Sequence, residues 1–308
     1  MSGVLPNLLV AGVPKAGTGS LFWYLGQHPD ICPSAMKEIG FFTPLRREDG
    51  VLASVESYMQ HFSHWAGQRY AMEATPNYCY GGDRLRAGIR ATLRRPRIVI
   101  SLRDPVDRLW SAYTMQRTKG NLPGIRSFDE YVSACEGVLR RGERVRALAG
   151  LSVGMYGDYV PRWLDDFGED VKVVFRDDLK ADPRAVVAGL CRWLSIDHRP
   201  AESLDYEVRN QTTHALNPAV GRAVFVAKER SEAILSRTPR LRGGLRGAYL
   251  RLATGELSES LQPRTRARLE ALYRESNSTV AAALRARGYR SLPVWLEAAQ
   301  PLPSNRGR

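Results

Sequence analysis

One short stretch of the chain combines glycines, a lysine and hydroxyl residues in a spacing that could bind phosphate. It runs from Asn7 to Ser20 and reads NLLVAGVPKAGTGS. Its apolar part is typical of a buried strand, and the glycines after it let the backbone approach a ligand closely. Thr18 stands where a helix would begin, and the free N–H groups at a helix N-terminus favour an anion. Lys15 adds a full positive charge inside the turn.

The spacing of Gly12 and Gly17 is that of a P-loop, but the lysine is displaced. A Walker A loop has Lys and then Ser or Thr directly after its second glycine. Here Thr18 follows Gly17, and Lys15 lies two positions before it. The residues leave three interpretations open: a divergent nucleoside triphosphate site, a phosphate loop without the usual Mg²⁺ ligands, or a plain turn between strand and helix.

Two further segments carry carboxylates beside aromatic residues. Lys37 and Glu38 precede Ile-Gly-Phe-Phe, which favours a loop held by buried rings. Glu73 stands at a predicted strand end that breaks at Pro76, and Tyr78 follows. Strand ends are where α/β proteins place ligand contacts. Taken alone, Glu38 is more typical of a solvated loop carboxylate, and Glu73 and Tyr78 are equally typical of hydrogen bonds that hold a loop.

A second clear strand, residues 97–102, leads directly into Arg103. Asp104 suits a helix N-cap and Pro105 suits the first helical position, so Arg103 lies at the strand's carboxyl end. Ser111 follows about two turns along that helix. Each of these two residues, taken alone, is readily explained by packing or by a nearby carboxylate.

Strands and helices alternate along the chain, which predicts a P-loop-like three-layer α/β/α fold with a central parallel sheet. Ligands of such sheets bind beyond the carboxyl ends of the strands. The turns after strands 8–13 and 97–102 would then face one crevice, which suits a nucleotide with two separate phosphates. Further predicted elements are helices at 18–27, 54–62, 128–148, 156–167, 183–194 and 261–287, the last broken near Ser276, and strands at 31–32 and 171–175.

A chain of 308 residues could form one large α/β domain or two smaller ones, and since no linker clearly splits it, we predict a single domain over residues 1–308. The hydrophobic share of 44% and the charged share of 25% are those of a soluble globular protein. Every apolar run is too short to cross a bilayer, and the first residues lack the features of a signal peptide. The four cysteines are far apart, which argues against a metal site or a disulfide framework. We therefore predict a cytoplasmic protein.

The formal net charge of +13 points either to genome composition or to an anionic partner. Only six of the 45 basic residues are lysines, and two of these, Lys15 and Lys37, lie in or near the opening motif. An anionic ligand, a nucleic acid or an acidic membrane surface would each explain the charge. The arginine-rich segment 237–251 lacks a stacking pair of aromatic residues, so it favours a solvated or lipid-facing surface over nucleic-acid binding.

Taken together, these motifs resemble those of sulfotransferases. Residues 13–20 resemble that family's 5′-phosphosulfate loop, and residues 103–113 its 3′-phosphate motif. Residues 37–42 are similar to the catalytic loop of the heparan-sulfate-type branch, which includes N- and 3-O-sulfotransferases. Residues 272–277 and the LPVW tail at 292–295 look like that branch's C-terminal helix. The resemblance covers nearly the whole chain in order, and it indicates a bacterial, actinobacterial member.

The resemblance implies transfer of the sulfuryl group of 3′-phosphoadenosine 5′-phosphosulfate (PAPS) to a hydroxyl, leaving 3′,5′-adenosine bisphosphate. Lys15 would stabilise charge on the departing phosphate, and Glu38 would accept the hydroxyl proton as general base. Because the Walker Ser/Thr position is missing, no metal is expected. The implied donor-binding residues are Lys15, Ala16, Gly17, Thr18, Gly19, Ser20, Arg103, Ser111 and Arg222, and the implied acceptor-binding residues are Lys37, Glu73 and Tyr78.

The chain departs from the heparan-sulfate-type branch on the acceptor side. That branch has Glu-Lys before Ser or Thr, where this chain has Glu73-Ala74-Thr75. Its late disulfide and its Lys-Gly-Arg loop are also absent, and Arg222 is the candidate to replace the lost cations. These departures favour a small carbohydrate, a glycolipid, a lipid or a secondary metabolite as acceptor.

The partners expected are therefore small hydroxyl compounds and not nucleic acid. A lipid acceptor would bring peripheral membrane contact, and a homo-oligomer is compatible with the sequence. Three alternatives stay open: a P-loop-like small-molecule kinase that uses ATP and Mg²⁺, a non-catalytic basic protein that binds nucleic acid with strong salt dependence, and a catalytically dead scaffold that keeps the fold and loses donor binding.

Overall fold

A five-stranded sheet is the central element of the computed structural model, which describes residues 3–143, 145–207 and 259–298. The strand order is β2-β3-β1-β4-β5, and every pairing is parallel. Parallel neighbours require crossover connections, which the helices between the strands supply. The strands are β1 (Leu8–Gly12), β2 (Ile31–Pro33), β3 (Tyr70–Ala74), β4 (Arg97–Leu102) and β5 (Val171–Phe175).

The sheet is covered on both faces. Alternate residues of β1 enter two separate hydrophobic clusters, Leu9 and Ala11 on one side and Leu8 and Val10 on the other, and all four are buried. Side chains of successive strand residues point to opposite faces, so a continuous apolar strand needs helices on both sides. The prediction of a three-layer α/β/α fold with a parallel sheet is confirmed.

By its contacts the chain divides into two compact units. The first comprises the described residues within Met1–Asp104, Met155–Asn210 and Arg274–Arg308, and it contains the whole sheet. The second comprises those within Pro105–Gly154 and Gln211–Tyr273. The prediction of a single domain over 1–308 did not include this division.

The helices of the described residues fall mostly where periodicity placed them. The boundaries of β4, β5 and the helix Pro183–Leu194 match the predicted ranges. The helices are α1 (Thr18–Leu25), α2 (Val55–Met59), α3 (Gly82–Thr92), α4 (Pro105–Thr118), α5 (Phe128–Arg140), α6 (Gly150–Val153), α7 (Val160–Phe167), α8 (Arg176–Ala181), α9 (Pro183–Leu194), α10 (Pro263–Ala286) and α11 (Val294–Glu297).

Two helix predictions were wrong. The helix expected over 128–148 ends at Arg140, because Gly142 adopts a φ of 65° and the chain turns. The break expected near Ser276 is absent: α10 is continuous there, and the Ser276 hydroxyl accepts the Gly157 N–H at 2.8 Å. Helix α3 was not predicted at all, since its sequence contains glycines and arginines that hide its amphipathic spacing.

The second unit is built on rings and buried polar contacts of its own. Tyr113, Phe128 and Tyr131 pack together with ring centroids 5.3–6.4 Å apart. The guanidinium of Arg108, which is 2% exposed, donates to the Gly150 carbonyl. Glu259 accepts the Tyr113 hydroxyl at 2.8 Å and so joins α10's entry segment to α4. These contacts give helix α4 a defined orientation within this unit.

Candidate functional site: a phosphate loop and a carboxylate loop at one sheet edge

The carboxyl edge of the sheet in the first unit gathers most of the predicted site. Strand β1 ends at Gly12 and feeds residues 13–17, which we call the phosphate loop. Its neighbour β4 ends at Leu102, directly before Arg103, and Leu102 pairs with the last residue of β5. Its other neighbour, β3, ends at Ala74. The carboxyl ends of parallel strands lie at the same edge of the sheet, so the segments that follow these strands share that edge.

The phosphate loop has two residues in the left-handed region. Lys15 has a φ of 72° and Gly17 a φ of 89°. A non-glycine residue such as Lys15 pays about 1–2 kcal/mol for that conformation, and such residues cluster at functional sites. Gly17 is also closely packed: a Cβ there would lie 2.9 Å from both Arg176 Cδ and Leu179 Cδ2. Glycine is therefore required at position 17 for both dihedral and spatial reasons.

Strand β4 braces the loop from one side. The Val13 N–H donates to the Ser101 carbonyl at 2.8 Å, and the Ser101 hydroxyl donates to the Ala16 carbonyl at 2.6 Å. Arg103 Nη1 donates to the Lys15 carbonyl at 3.2 Å. The carbonyls of Lys15 and Ala16 are thus held toward β4. Ser101 was missed by sequence reasoning, and its signal was a single hydroxyl in an otherwise apolar strand.

Ala16 does not fit the role of a direct donor contact. It is 0% exposed, its N–H donates to the Val13 carbonyl at 3.3 Å, and its own carbonyl accepts from Ser101. Both backbone groups of Ala16 are therefore engaged inside the protein. Ala16 therefore helps to hold the conformation of the turn through these two backbone hydrogen bonds.

The start of helix α1 offers unengaged donors. The first N–H groups of a helix have no partner within it, and here they belong to Thr18, Gly19 and Ser20. Gly17 is the N-cap, and it supplies no side chain to satisfy them. The first turn contains no acidic residue, so the positive end of the helix dipole is not neutralised locally. An anion bound at this position would accept hydrogen bonds from these N–H groups and would interact favourably with the positive end of the helix dipole.

Arg176 adds a cation that sequence reasoning missed. It is the first residue of α8, directly after β5, and its side chain lies against Gly17. Among the residues that the structure describes, its guanidinium has no hydrogen-bond or ion-pair partner. It was read only as the residue that follows a strand; the signal available was its place beyond the carboxyl end of β5, the neighbour of β4.

The second predicted loop, residues 37–42, lies at the end of β3. The Glu38 N–H donates to the carbonyl of Ala74, the last residue of that strand, at 3.0 Å. The Glu38 side chain is 54% exposed and carries an ion pair from Lys37 Nζ to Glu38 Oε1 at 2.7 Å. Glu38 has a φ of 65°. An exposed carboxylate on a residue in the left-handed region is a candidate proton acceptor at this edge.

Glu73 and Tyr78, which were expected to contact the acceptor, are both 0% exposed. The Glu73 carboxylate accepts the hydroxyls of Thr75 at 2.6 Å, of Tyr78 at 2.8 Å, and of Tyr58. Burial raises the pKa of Glu73 above its ordinary value, and the three hydroxyl donors oppose that rise. This placement does not fit direct contact with an acceptor, because no polar atom of either residue faces solvent.

Two predicted donor residues are not among the described residues of the first unit. Ser111 is on α4 of the second unit, 8% exposed, and its role in binding a 3′-phosphate stays a prediction of the motif. Arg222 lies outside the described residues, as does the arginine-rich segment 237–251. Arg103 is half-buried, and its own carbonyl accepts the Tyr156 hydroxyl at 2.8 Å.

In the described part of the chain, no cluster of His, Cys, Asp and Glu has the composition of a metal site. Independence from metals stays a prediction. None of the described helices combines the length and the apolarity that crossing a membrane requires.

A parallel sheet with a glycine-containing loop after its central strand is typical of nucleotide-binding α/β proteins, and comparison with known sequences narrows the class. Residues 5–217 match the sulfotransferase domain family. The chain therefore belongs to the sulfotransferase family, and the resemblance seen in its motifs is confirmed. The family match includes the phosphate loop, the carboxylate loop and Arg103.

Individual relatives agree with this membership. Bifunctional heparan sulfate N-deacetylase/N-sulfotransferase 1 of Xenopus laevis is 27% identical over 228 residues, covering 70% of this chain and 24% of that protein. Membrane-associated sulfotransferase kil1 of Dictyostelium discoideum is 34% identical over 112 residues, covering 35% of this chain and 22% of that protein. This chain thus spans less than a quarter of the length of these relatives.

A solved structure shares the fold. The crystal structure of a sulfotransferase from Alicyclobacillus acidocaldarius superposes with a TM-score of 0.67 at 24% identity. The match covers 95% of this chain and 99% of that one. The architecture, including the described part of the C-terminal third, is therefore that of a known sulfotransferase fold.

Proposed function

We propose that this protein transfers the sulfuryl group of PAPS to a hydroxyl of a small carbohydrate, glycolipid, lipid or secondary-metabolite acceptor. The observation that carries the proposal is the phosphate loop. Its left-handed Lys15 and Gly17 lead into a helix start with no side-chain cap, beside two arginines. Family membership supplies the class of reaction.

The phosphate loop supports binding of the donor's 5′-phosphosulfate end. The N–H groups of Thr18, Gly19 and Ser20 would donate to phosphate oxygens. Arg176, which lies against Gly17, would add a forked cation to the same group. Arg103 and, from the motif, Ser111 are the candidates for the 3′-phosphate. Thus the donor's two phosphates would have separate sets of partners.

The carboxylate loop supports the proton transfer. Lys37 binds Glu38 at Oε1, and among the described residues no donor occupies Oε2, which is then able to accept a proton from an acceptor hydroxyl. The acceptor oxygen would form a bond to the sulfur atom of the bound donor, while the bond between that sulfur and the 5′-phosphate oxygen breaks. Lys15 would stabilise the negative charge that develops on that phosphate oxygen.

The residues on the acceptor side favour a small acceptor over a polyanionic chain. Position 74, where the heparan-sulfate-type branch has a lysine, is a buried alanine here. The one lysine of the carboxylate loop, Lys37, is engaged with Glu38. A cytoplasmic location and the absence of a nucleic-acid partner remain predictions of the sequence.

Calorimetry separates this proposal from its rivals. The protein is titrated with 3′,5′-adenosine bisphosphate, with ATP and Mg²⁺, and with a mixed-sequence DNA duplex. We expect selective binding of the bisphosphate in the presence of a chelator. Preference for ATP and Mg²⁺ would indicate a kinase, and salt-dependent binding of the duplex alone would indicate a nucleic-acid-binding protein. Transfer of labelled sulfate from PAPS to compounds in a cell extract then identifies the acceptor.

A further inference from the structure

A buried carboxylate lies directly behind the carboxylate loop, and the hydroxyl groups around it have a defined polarity. Glu73 offers only acceptors when ionised, so the hydroxyl protons of Thr75 and Tyr78 point at its Oε1. Each hydroxyl oxygen is then left with lone pairs that face the other way. The Tyr58 hydroxyl, which donates to Oε2, completes the set.

Those lone pairs hold the backbone of the carboxylate loop. The Gly40 N–H donates to Thr75 Oγ1 at 3.1 Å, and the Phe42 N–H donates to the Tyr78 hydroxyl at 3.2 Å. Thr75 and Tyr78 thus connect Glu73 to two amides within four residues of Glu38. A third loop amide, that of Glu38 itself, donates to the Ala74 carbonyl.

The rings of Tyr58 and Tyr78 also hold the loop. Phe41 stacks on Tyr58 with centroids 4.1 Å apart, and Phe42 meets Tyr78 edge to face at 5.7 Å. All four rings are buried. Hydrogen bonds and ring contacts together therefore fix the loop conformation, in which Glu38 and Gly40 have φ values of 65° and 73°.

We infer that Glu73 is a positioning residue for the transfer reaction: it orients the Thr75 and Tyr78 hydroxyls as acceptors for the Gly40 and Phe42 amides and thereby places Glu38. This inference rests on the proposed role of Glu38 as general base. It gives the motif Glu73-Ala74-Thr75 and Tyr78 a function that does not require contact with the acceptor. A displacement of about 1 Å in a catalytic group is enough to lower a rate strongly.

The matched pair Thr75→Val and Thr75→Ser tests this inference. Valine has nearly the shape of threonine but no hydroxyl, whereas serine keeps the hydroxyl. We expect Thr75→Val to lower kcat about tenfold or more, while Thr75→Ser stays within about threefold of wild type. The affinity for 3′,5′-adenosine bisphosphate and the KM for PAPS should stay unchanged, because the hydrogen bonds of the Thr75 hydroxyl within the described part of the chain are to Glu73 and to the Gly40 amide.

A second measurement is independent of activity. Hydrogen–deuterium exchange of the peptide that covers residues 38–42 should become faster in Thr75→Val and in Tyr78→Phe, both of which remove a hydroxyl that accepts a loop amide. Tyr58→Phe removes a hydroxyl whose hydrogen bond, among the described residues, is to Glu73 and not to a loop amide, so its effect on exchange and on kcat should be smaller than that of Thr75→Val or Tyr78→Phe. Melting curves confirm that each variant is folded.

The outcomes are distinguishable. If wild type transfers sulfuryl groups and Thr75→Val has an unchanged kcat and unchanged exchange at 38–42, the inference is overturned while the proposed function stands. If exchange at residues 38–42 rises as much in Tyr58→Phe as in Tyr78→Phe, the loop responds to a general loss of stability and not to the loss of a hydroxyl that accepts a loop amide. The inference then also fails. If wild type shows no transfer, the proposed function fails, and faster exchange in Thr75→Val still supports the anchoring of the loop.

Discussion

The two loops at the carboxyl edge of the sheet are held in different ways. In the phosphate loop, the Ser101 hydroxyl and Arg103 donate to loop carbonyls and the Val13 N–H donates to the Ser101 carbonyl, so the N–H groups at the start of α1 stay available. The carboxylate loop is held by side chains, through hydroxyl groups 35 and 36 residues away. The phosphate loop is therefore held through its carbonyls, whereas the carboxylate loop is held through its N–H groups around one buried carboxylate.

This difference has a chemical counterpart. Binding a phosphate needs several N–H groups in a fixed arc, which backbone geometry alone provides. A general base needs one carboxylate in one place, and a single exposed side chain has to be positioned by its neighbours. We therefore expect changes in the two loops to affect different measured quantities: donor affinity for the first and turnover for the second.

The largest expected effect comes from the carboxylate loop. Glu38→Gln should lower kcat by about 10²–10⁴-fold, because it removes the proton acceptor, and should leave the calorimetric affinity for 3′,5′-adenosine bisphosphate unchanged. Steady-state sulfate transfer measures the first quantity. Glu48→Gln, an exposed glutamate in the next segment, is the control and should behave as wild type. Full activity in Glu38→Gln would remove Glu38 from the mechanism.

The next effect comes from the phosphate loop. Gly17→Ala places a Cβ 2.9 Å from Arg176 Cδ and Leu179 Cδ2 at a φ of 89°, so the loop or these two side chains must shift. We expect the affinity for the bisphosphate to fall about tenfold or more, with a loss of stability of about 1–2 kcal/mol. Isothermal calorimetry and denaturant unfolding measure these two quantities.

Gly67→Ala is the matched control for that substitution. Gly67 has a φ of 93°, but nothing lies within 4 Å of the position its Cβ would take. It should therefore show the loss of stability without the loss of affinity. An equal fall in donor affinity for both variants would mean that the close packing at Gly17 is not what shapes the site.

A smaller effect is expected at Arg176. Arg176→Gln should weaken bisphosphate binding about tenfold, as expected for one charge-assisted hydrogen bond. The loss should diminish as salt is raised, since salt screens charge interactions. Lys180→Gln, on the exposed side of the same helix, serves as control. Binding that does not change in Arg176→Gln would leave Lys15 as the side-chain cation assigned to the 5′-phosphate.

The smallest effect concerns pH and the carboxylate behind the second loop. Because burial raises the pKa of Glu73, the folded chain holds that proton more tightly than the unfolded chain does. The stabilisation is complete below the ordinary Glu pKa of about 4.3 and is lost as pH rises through the raised value. Relative to Glu73→Gln, which does not titrate, the unfolding free energy of wild type should therefore fall as pH rises across this window. A difference that is constant or grows would contradict the direction of the shift.

Much of this site followed from types and spacing of residues. The strand before the glycines, the displaced lysine, and the Arg-Asp-Pro start of α4 each depend on local rules for strands, turns and helix caps. Those rules act over a few residues, so β1 and the starts of α1 and α4 lie where the sequence placed them. The boundaries of β4 and β5 were predictable for the same reason, since short apolar runs between polar turns read as buried parallel strands.

Other parts of the site depend on which strands become neighbours. Arg176 is 159 residues from Gly17 in a chain of 308, and nothing in its own segment marks it as part of a phosphate loop. Ser101 looks like a minor interruption of a strand until β4 is seen beside β1. Glu73 and Tyr78 were assigned to the acceptor because residue type shows that a group is polar but not whether it is buried.

By itself, the sequence determined the class of fold, the position of the phosphate loop, the likeness to sulfotransferases and the candidate base. Only the tertiary structure decided that the loop is braced by Ser101 and approached by Arg176, and that the buried Glu73 is connected through Thr75 and Tyr78 to the loop of the candidate base Glu38. The physical reason is the separation along the chain over which each kind of interaction acts. Dihedral preferences and helix dipoles act between near neighbours in the chain, whereas burial and side-chain hydrogen bonds are decided by strand order, which brings together residues that are far apart in sequence.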